Sequence, residues 1–103
     1  MYGKRKRMMI MLLKSPWSCD LESLRVKNAM PDDVVVFVQD SVLGATNPPE
    51  KFLQLIRDKQ TEGVRFYASK NDCQARGLAP IDGVELADYG KIVDLICECE
   101  LSY

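Results

Sequence analysis

The chain has 103 residues, 47% of them apolar, which suits one globular domain and leaves no room for a second core. Fourteen basic residues nearly balance fifteen acidic ones, so the overall charge does not indicate a nucleic-acid-binding protein. Because the chain contains no histidine, serine and cysteine triads that use a histidine base are excluded.

The first seven residues contain the basic run Lys4–Arg7, and a short apolar run, Met8–Leu13, follows it. Lys14 ends this apolar run, which is shorter than the apolar region of a signal peptide and far shorter than a membrane helix. We therefore predict a basic arm at residues 1–7, a single domain at residues 8–103, a cytoplasmic location and no membrane contact. An arm that binds RNA is the alternative interpretation.

Apolar strands and helices alternate along the rest of the chain. The predicted strands are Met8–Leu13, Val34–Val38, Val64–Ala68 and Val84–Ala87. The predicted helices run from Asp20 to about Ala29, from Pro48-Pro49 to Gly63, over Ser69–Arg76, and onward from Asp88. The pattern predicts an α/β fold: a small, doubly wound, mostly parallel sheet of about four strands with helices on both faces.

Three of these helices carry apolar residues at helical spacing. The stripe of the helix that ends at Gly63 comprises Phe52, Leu53, Leu55 and Ile56. In the first helix, Leu21, Leu24 and Asn28 are expected to share one face. In the last helix, which Asp88 is expected to cap, the apolar stripe comprises Ile92, Leu95, Ile96 and Cys99. Cys99, on this last stripe, is expected to pack in the core.

Neither a cofactor site nor a metal site is indicated. Lys14–Trp17 stands where a glycine-rich phosphate loop would follow the first strand, which argues against nucleotide binding of that kind. Cys97 and Cys99 lack the spacing of a zinc ligand pair, and no second pair completes a set of four ligands. The four cysteines accompany no export signal, so we expect a reducing compartment and no disulfides.

The carboxyl ends of parallel strands meet at one edge of a sheet, where α/β proteins bind ligands and partners. Three loops are predicted to lie there, and their residues are the candidate partner contacts: Ser15, Pro16 and Trp17; Gln39, Asp40 and Ser41; and Ser69. Trp17 either covers the core or anchors a partner.

Cys73 is the candidate catalytic thiol. It falls near the start of a predicted helix, where unpaired amides and the helix dipole favour a thiolate, the nucleophilic form of cysteine. Lys70 adds positive charge nearby, whereas Asp72 opposes it. The alternative is an ordinary buried cysteine with no chemical role.

Four sequence blocks resemble the TusB/DsrH family. Lys14–Trp17 resembles the K-S-P-aromatic that follows the first strand of these proteins, and Val36–Val42 resembles their apolar strand ending in Q-D-G-V. Phe66–Ala68 with Asp72–Leu78 resembles their Y-A strand followed by D-L-x-A-R-G-L. Ala87–Gly90 with Val93–Leu95 resembles their V-D-Y-x-x-F-V-D-L ending. The blocks occur in the family's order and span most of residues 8–96.

The resemblance implies a DsrE-like fold and a role in a sulfur relay. Proteins of this family form hetero-oligomers with TusC/DsrF-like and TusD/DsrE-like subunits, which pass persulfide sulfur to a TusE/DsrC-like carrier. The sulfur goes toward 2-thiouridine in transfer RNA or into sulfur oxidation. If such partners are absent, we expect the chain to form a homo-oligomer.

The chain departs from its relatives at several positions. The position that resembles the relay cysteine of the TusD/DsrE-like subunit is Ser69, and Cys73 comes one helical turn later. Ser41 replaces the usual glycine. These departures favour a non-catalytic accessory subunit, with a persulfide carrier acting through Cys73 as one alternative. A stand-alone RNA- or protein-binding module is the other.

Overall fold

The computed structural model describes residues 8–12 and 20–102. Within them, five parallel strands form one sheet in the order β4-β3-β2-β1-β5. The strands are β1 (Met8–Leu12), β2 (Val34–Phe37), β3 (Arg65–Ser69), β4 (Val84–Ala87) and β5 (Glu100–Ser102). The predicted α/β fold with a parallel sheet is confirmed. The sequence did not indicate β5.

Helices cover both faces of this sheet. They are α1 (Asp20–Lys27), α2 (Leu43–Thr46), α3 (Glu50–Thr61), α4 (Lys70–Ala75) and α5 (Tyr89–Glu98), and a 3₁₀ helix (Gln39–Val42) runs directly into α2. Buried residues of α1 to α4 share one apolar cluster with one face of the sheet. The other cluster joins α5 to the opposite face. Helix α5 therefore lies on one face of the sheet, and α1 to α4 lie on the other face.

Strand β2 is buried along its whole length. Its β-branched residues favour extended backbone, and their alternation divides the strand between the two clusters. Phe37 lies at its end, where its ring stacks on Phe66 with centroids 6.1 Å apart and meets Phe52 edge-on at 6.2 Å. These ring contacts fix α3 and β3 against the carboxyl end of β2.

The predicted apolar face of α1 is wrong at Leu24. That side chain is 50% exposed, whereas Val26 is fully buried and Ala29, just beyond the helix, is 3% exposed. Val26 and Ala29 are three positions apart, so they lie on the same side of the chain. That side faces the core, and Leu24 lies away from it.

The predicted stripe of α5 is correct for three of its four residues. Leu95 and Cys99 are buried and Ile92 packs against the same cluster, but Ile96 is 39% exposed. The predicted cap is present, because the Asp88 carboxylate accepts a hydrogen bond of 2.8 Å from the Lys91 amide. Helix α5 thus begins where the sequence indicates but is rotated so that Ile96 faces outward.

Candidate functional site at the strand ends

Strands β2 and β3 are parallel neighbours, so their carboxyl ends lie side by side. The 3₁₀ helix with Gln39, Asp40 and Ser41 follows β2, while Ser69 ends β3 and begins the turn into α4. The structure therefore brings these predicted contact residues to one edge of the sheet. The other three candidates, Ser15, Pro16 and Trp17, lie outside the described residues.

The backbone of Gln39 is held in an uncommon conformation. Its φ angle is +54°, in the left-handed region that residues other than glycine rarely adopt. Its N–H donates a hydrogen bond of 2.8 Å to Oδ2 of Asp72, from the segment that follows β3. The Asp72 carboxylate thereby stabilises the turn at which the chain leaves β2.

Arg76 connects the same two segments through its guanidinium group. Nη2 lies 3.0 Å from Oδ1 of Asp40, and Nη1 lies 3.6 Å from Oδ1 of Asp72. Nη1 also donates a hydrogen bond of 3.2 Å to the Asp72 carbonyl oxygen. The aspartate and arginine of the third block and the glutamine and aspartate of the second thus form one polar network. We call this network of Gln39, Asp40, Asp72 and Arg76 the strand-end clasp.

Ser41 occupies the position where the resembling proteins have glycine. Its side chain is fully buried, and Oγ lies 2.6 Å from the Leu12 carbonyl oxygen and 2.7 Å from that of Val38. A hydroxyl carries one proton, so it donates to one of these oxygens at a time. The φ angle of Ser41 is not positive, so its backbone has no need of glycine. The serine instead ties the 3₁₀ helix to the ends of β1 and β2.

Ser69 is the N-cap of α4. Its backbone is extended, and its Oγ accepts a hydrogen bond of 3.3 Å from the Asp72 amide. Ser69 as a whole is only 7% exposed. The position that resembles the relay cysteine therefore holds a hydroxyl that satisfies a helix amide, and a hydroxyl cannot carry sulfane sulfur as a thiol does.

Cys73 lies in the apolar core beneath these residues. It is 1% exposed and belongs to the cluster that contains Val42 and Ala45. Burial raises the pKa of its thiol, the Asp72 carboxylate raises that pKa further, and the Arg76 guanidinium lowers it. This direction is opposite to the lowering expected from a helix start, because removal of the thiol from water favours its neutral form.

The other described cysteines lie on the far side of the sheet. Cys97 is exposed on α5, and Cys99 is buried at the end of that helix. No disulfide joins any of the described cysteines. Cys19 lies outside the described residues.

Helix α5 presents exposed apolar side chains that the sequence did not identify as a surface. Tyr89 is 74% exposed, and Val93 and Ile96 are each 39% exposed. Their spacing of four and then three residues places them on one side of the helix. Tyr89 directly follows Asp88 at the carboxyl end of β4, so this stripe begins at the same edge of the sheet as the strand-end clasp.

A cavity of about 250 Å³ lies elsewhere, along the amino-terminal halves of β3 and β4. It is therefore separate from the strand ends. The residues that line the cavity are Gln60, Val64, Arg65, Phe66, Tyr67, Gly83 and Glu85.

In the described part of the chain, no group of three or more acidic or cysteine side chains is placed to hold a metal ion. Among the described helices, none has the length and apolar character that crossing a bilayer requires.

Comparisons with known proteins agree with this architecture. A family model described as "DsrH like protein" matches residues 14–101. A similar solved structure is that of a protein of unknown function, MTH1491, from Methanobacterium thermoautotrophicum. The two share 20% sequence identity with a TM-score of 0.76, over 95% of this chain and 98% of the other. At this identity the likeness establishes the fold alone. No curated protein matches the sequence.

Proposed function

Since this chain belongs to the DsrH-like family, whose members are sulfur-relay subunits, we propose that it acts as an accessory subunit that assists persulfide transfer without carrying the sulfur itself. The transfer would lead toward 2-thiouridine in transfer RNA or into sulfur oxidation. We place this role in the cytoplasm, in a complex with related subunits.

The observation that carries the non-catalytic role is the side chain at the end of β3. Ser69 stands there instead of a cysteine, and its hydroxyl caps α4. Among the described cysteines, Cys73 follows Ser69 most closely; its thiol is buried, and its pKa is raised by that burial. A relay thiol needs to reach a donor persulfide as a thiolate, and neither position offers that chemistry in the folded state.

The proposed partners are TusC/DsrF-like and TusD/DsrE-like subunits, with a TusE/DsrC-like carrier as a further contact. Two features support a protein partner. The strand ends present Gln39 and Asp40, both exposed, and α5 on the opposite face of the sheet presents Tyr89, Val93 and Ile96. Exposed aromatic and aliphatic side chains along one side of a helix are typical of a protein interface.

Copurification tests this role. The chain is expressed with candidate TusC- and TusD-like proteins, and the mixture is analysed by size-exclusion chromatography with light scattering. We expect a complex that contains this chain, and sulfur transfer through the TusD-like cysteine that falls when this chain is omitted. A chain that neither coelutes with a partner nor self-associates would contradict the proposal.

The second candidate function makes Cys73 a persulfide carrier. Its thiolate would attack the outer sulfur of a donor persulfide. An S–S bond then forms at Cys73, the donor's S–S bond breaks, and the donor thiolate leaves. What favours this candidate is the position of Cys73 directly beneath the strand-end clasp. Mass spectrometry after incubation with a donor would detect one added sulfur at Cys73. Full labelling of a Cys73→Ser variant would contradict this candidate.

A further inference from the structure

The segments that follow β2 and β3 are joined at three places along their length. At one end the Gln39 amide donates to Asp72, and next to it Asp40 pairs with Arg76. At the other end the Ile81 amide donates a hydrogen bond of 2.8 Å to the Ala45 carbonyl oxygen. Residues 39–46 and residues 70–81 are therefore tied to each other as well as to their own strands.

The clasp is the solvent-facing side of this junction. The side chain of Asp40 is 77% exposed, that of Arg76 is 33% exposed and that of Asp72 is 30% exposed. Ion pairs in water stabilise a structure weakly, because each charge is well solvated without its partner. Gln39 also has a φ of +54°, and the hydrogen bond from its amide to Asp72 offsets the energetic cost of that conformation.

The opposite side of the junction is apolar and closed. Val42 and Ala45 from the first segment and Cys73 from the second are each at most 1% exposed and belong to one cluster. Helix α4 has six residues and α2 has four, so neither is stable without its neighbour. Loss of one segment from the core removes the packing of the other.

We infer that residues 39–46 and 70–81 open and close as one unit, that Arg76 sets how often this unit is open, and that its opening exposes Cys73 to solvent. The unit is a conformational gate over an otherwise inaccessible thiol. This inference holds whether or not Cys73 carries sulfur, because it concerns access to the thiol and not its chemistry.

The test measures the labelling rate of each cysteine by N-ethylmaleimide in native buffer, by mass spectrometry of digested samples. Arg76→Ala is expected to accelerate labelling of Cys73 about two- to fivefold and to leave Cys99, buried against the opposite face, unchanged. Arg65→Ala is the matched control, because Arg65 is exposed on β3 outside the clasp. It is expected to change neither rate.

The direction of the change in the Cys73 labelling rate distinguishes opening of the unit from a change in the reactivity of the thiol. Arg76 lowers the pKa of the Cys73 thiol, so its removal alone would make less thiolate and slow the labelling. Faster labelling therefore reports greater access. Equal acceleration of Cys73 and Cys99 would indicate global unfolding and overturn the inference, as would an unchanged Cys73 rate.

Amide hydrogen exchange of the Arg76→Ala variant tests the coupling of the two segments. We expect faster exchange at Val42–Thr46 and at Asp72–Ala75 together, by a similar factor. Faster exchange confined to α4 would show that the segments open separately and would overturn the inference.

Discussion

Arg76 and Asp40 are 36 positions apart in the sequence, yet their side chains meet at 3.0 Å across the ends of two neighbouring strands. The same arginine approaches Asp72, whose carboxylate accepts the Gln39 amide. Two of the blocks that resemble the DsrH-like family are therefore in direct contact. Their polar residues have a structural role, since they hold the strand-end segments together.

Ser41 is expected to stabilise the protein through its buried hydroxyl. Ser41→Ala removes a hydrogen bond to Leu12 or Val38 and should lower the free energy of unfolding by about 1 kcal/mol. Ser41→Gly should cost about 0.5–1 kcal/mol more, because glycine adds backbone freedom to the unfolded chain. Urea unfolding measures both. A more stable glycine variant would show that this position favours glycine, as in the resembling proteins.

The two N-caps are expected to differ in strength. Asp88→Ala should cost about 1 kcal/mol, because a charged carboxylate accepts a 2.8 Å hydrogen bond from the Lys91 amide at the start of α5. Ser69→Ala should cost less, because its bond to the Asp72 amide is 3.3 Å long and uncharged. Thermal unfolding compares the two variants. Asp88→Asn keeps an acceptor and serves as the control, and a loss equal to that of Asp88→Ala would contradict the capping role.

Stability should fall in mildly alkaline solution because of Cys73. Burial raises the pKa of this thiol in the folded state, so the unfolded chain releases the proton first as the pH rises. The contribution is complete below the pKa of the unfolded thiol and is lost as the pH rises through the folded value. Urea unfolding between about pH 7 and pH 10 should show a steeper decline for the wild type than for Cys73→Ala. Parallel curves would mean that the thiol ionises equally in both states.

The exposed side of α5 is expected to contribute to partner binding. Val93→Asp places a charge between Tyr89 and Ile96 and should weaken binding of a TusC- or TusD-like subunit about tenfold or more. Because Val93 is 39% exposed, the folded state should tolerate the charge. Asp94→Ala, at an exposed position of the same helix, is the control. Titration by isothermal calorimetry gives the affinities, and equal binding by both variants would exclude this face.

Local sequence patterns were sufficient for several elements of the fold. Strand β4 has the predicted bounds, and Asp88 caps the predicted last helix. These elements carry their own signals, a β-branched start in one case and an acceptor side chain before an apolar stripe in the other. The parallel sheet followed from the alternation of strands and helices.

Features that depend on distant contacts were not predictable in the same way. Strand β5 has three residues, Glu100–Ser102, and forms because β1 offers a free edge. Leu24 and Ile96 are apolar but exposed, since a helix's rotation is set by what it packs against. The ion pair of Arg76 and the burial of Cys73 likewise arise only when the strands are assembled. Sequence placed the site residues at one edge but did not reveal that they bind each other.

The pairing of β5 with β1 has a consequence for synthesis of the protein. Met8 lies beside Glu100 in the sheet, so in the nascent chain β1 gains this neighbour only after residues 100–102 have left the ribosome. Until then, one edge of β1 has unsatisfied backbone groups that another chain could pair with. A translation pause shortly before Glu100 would prolong that exposure and favour aggregation.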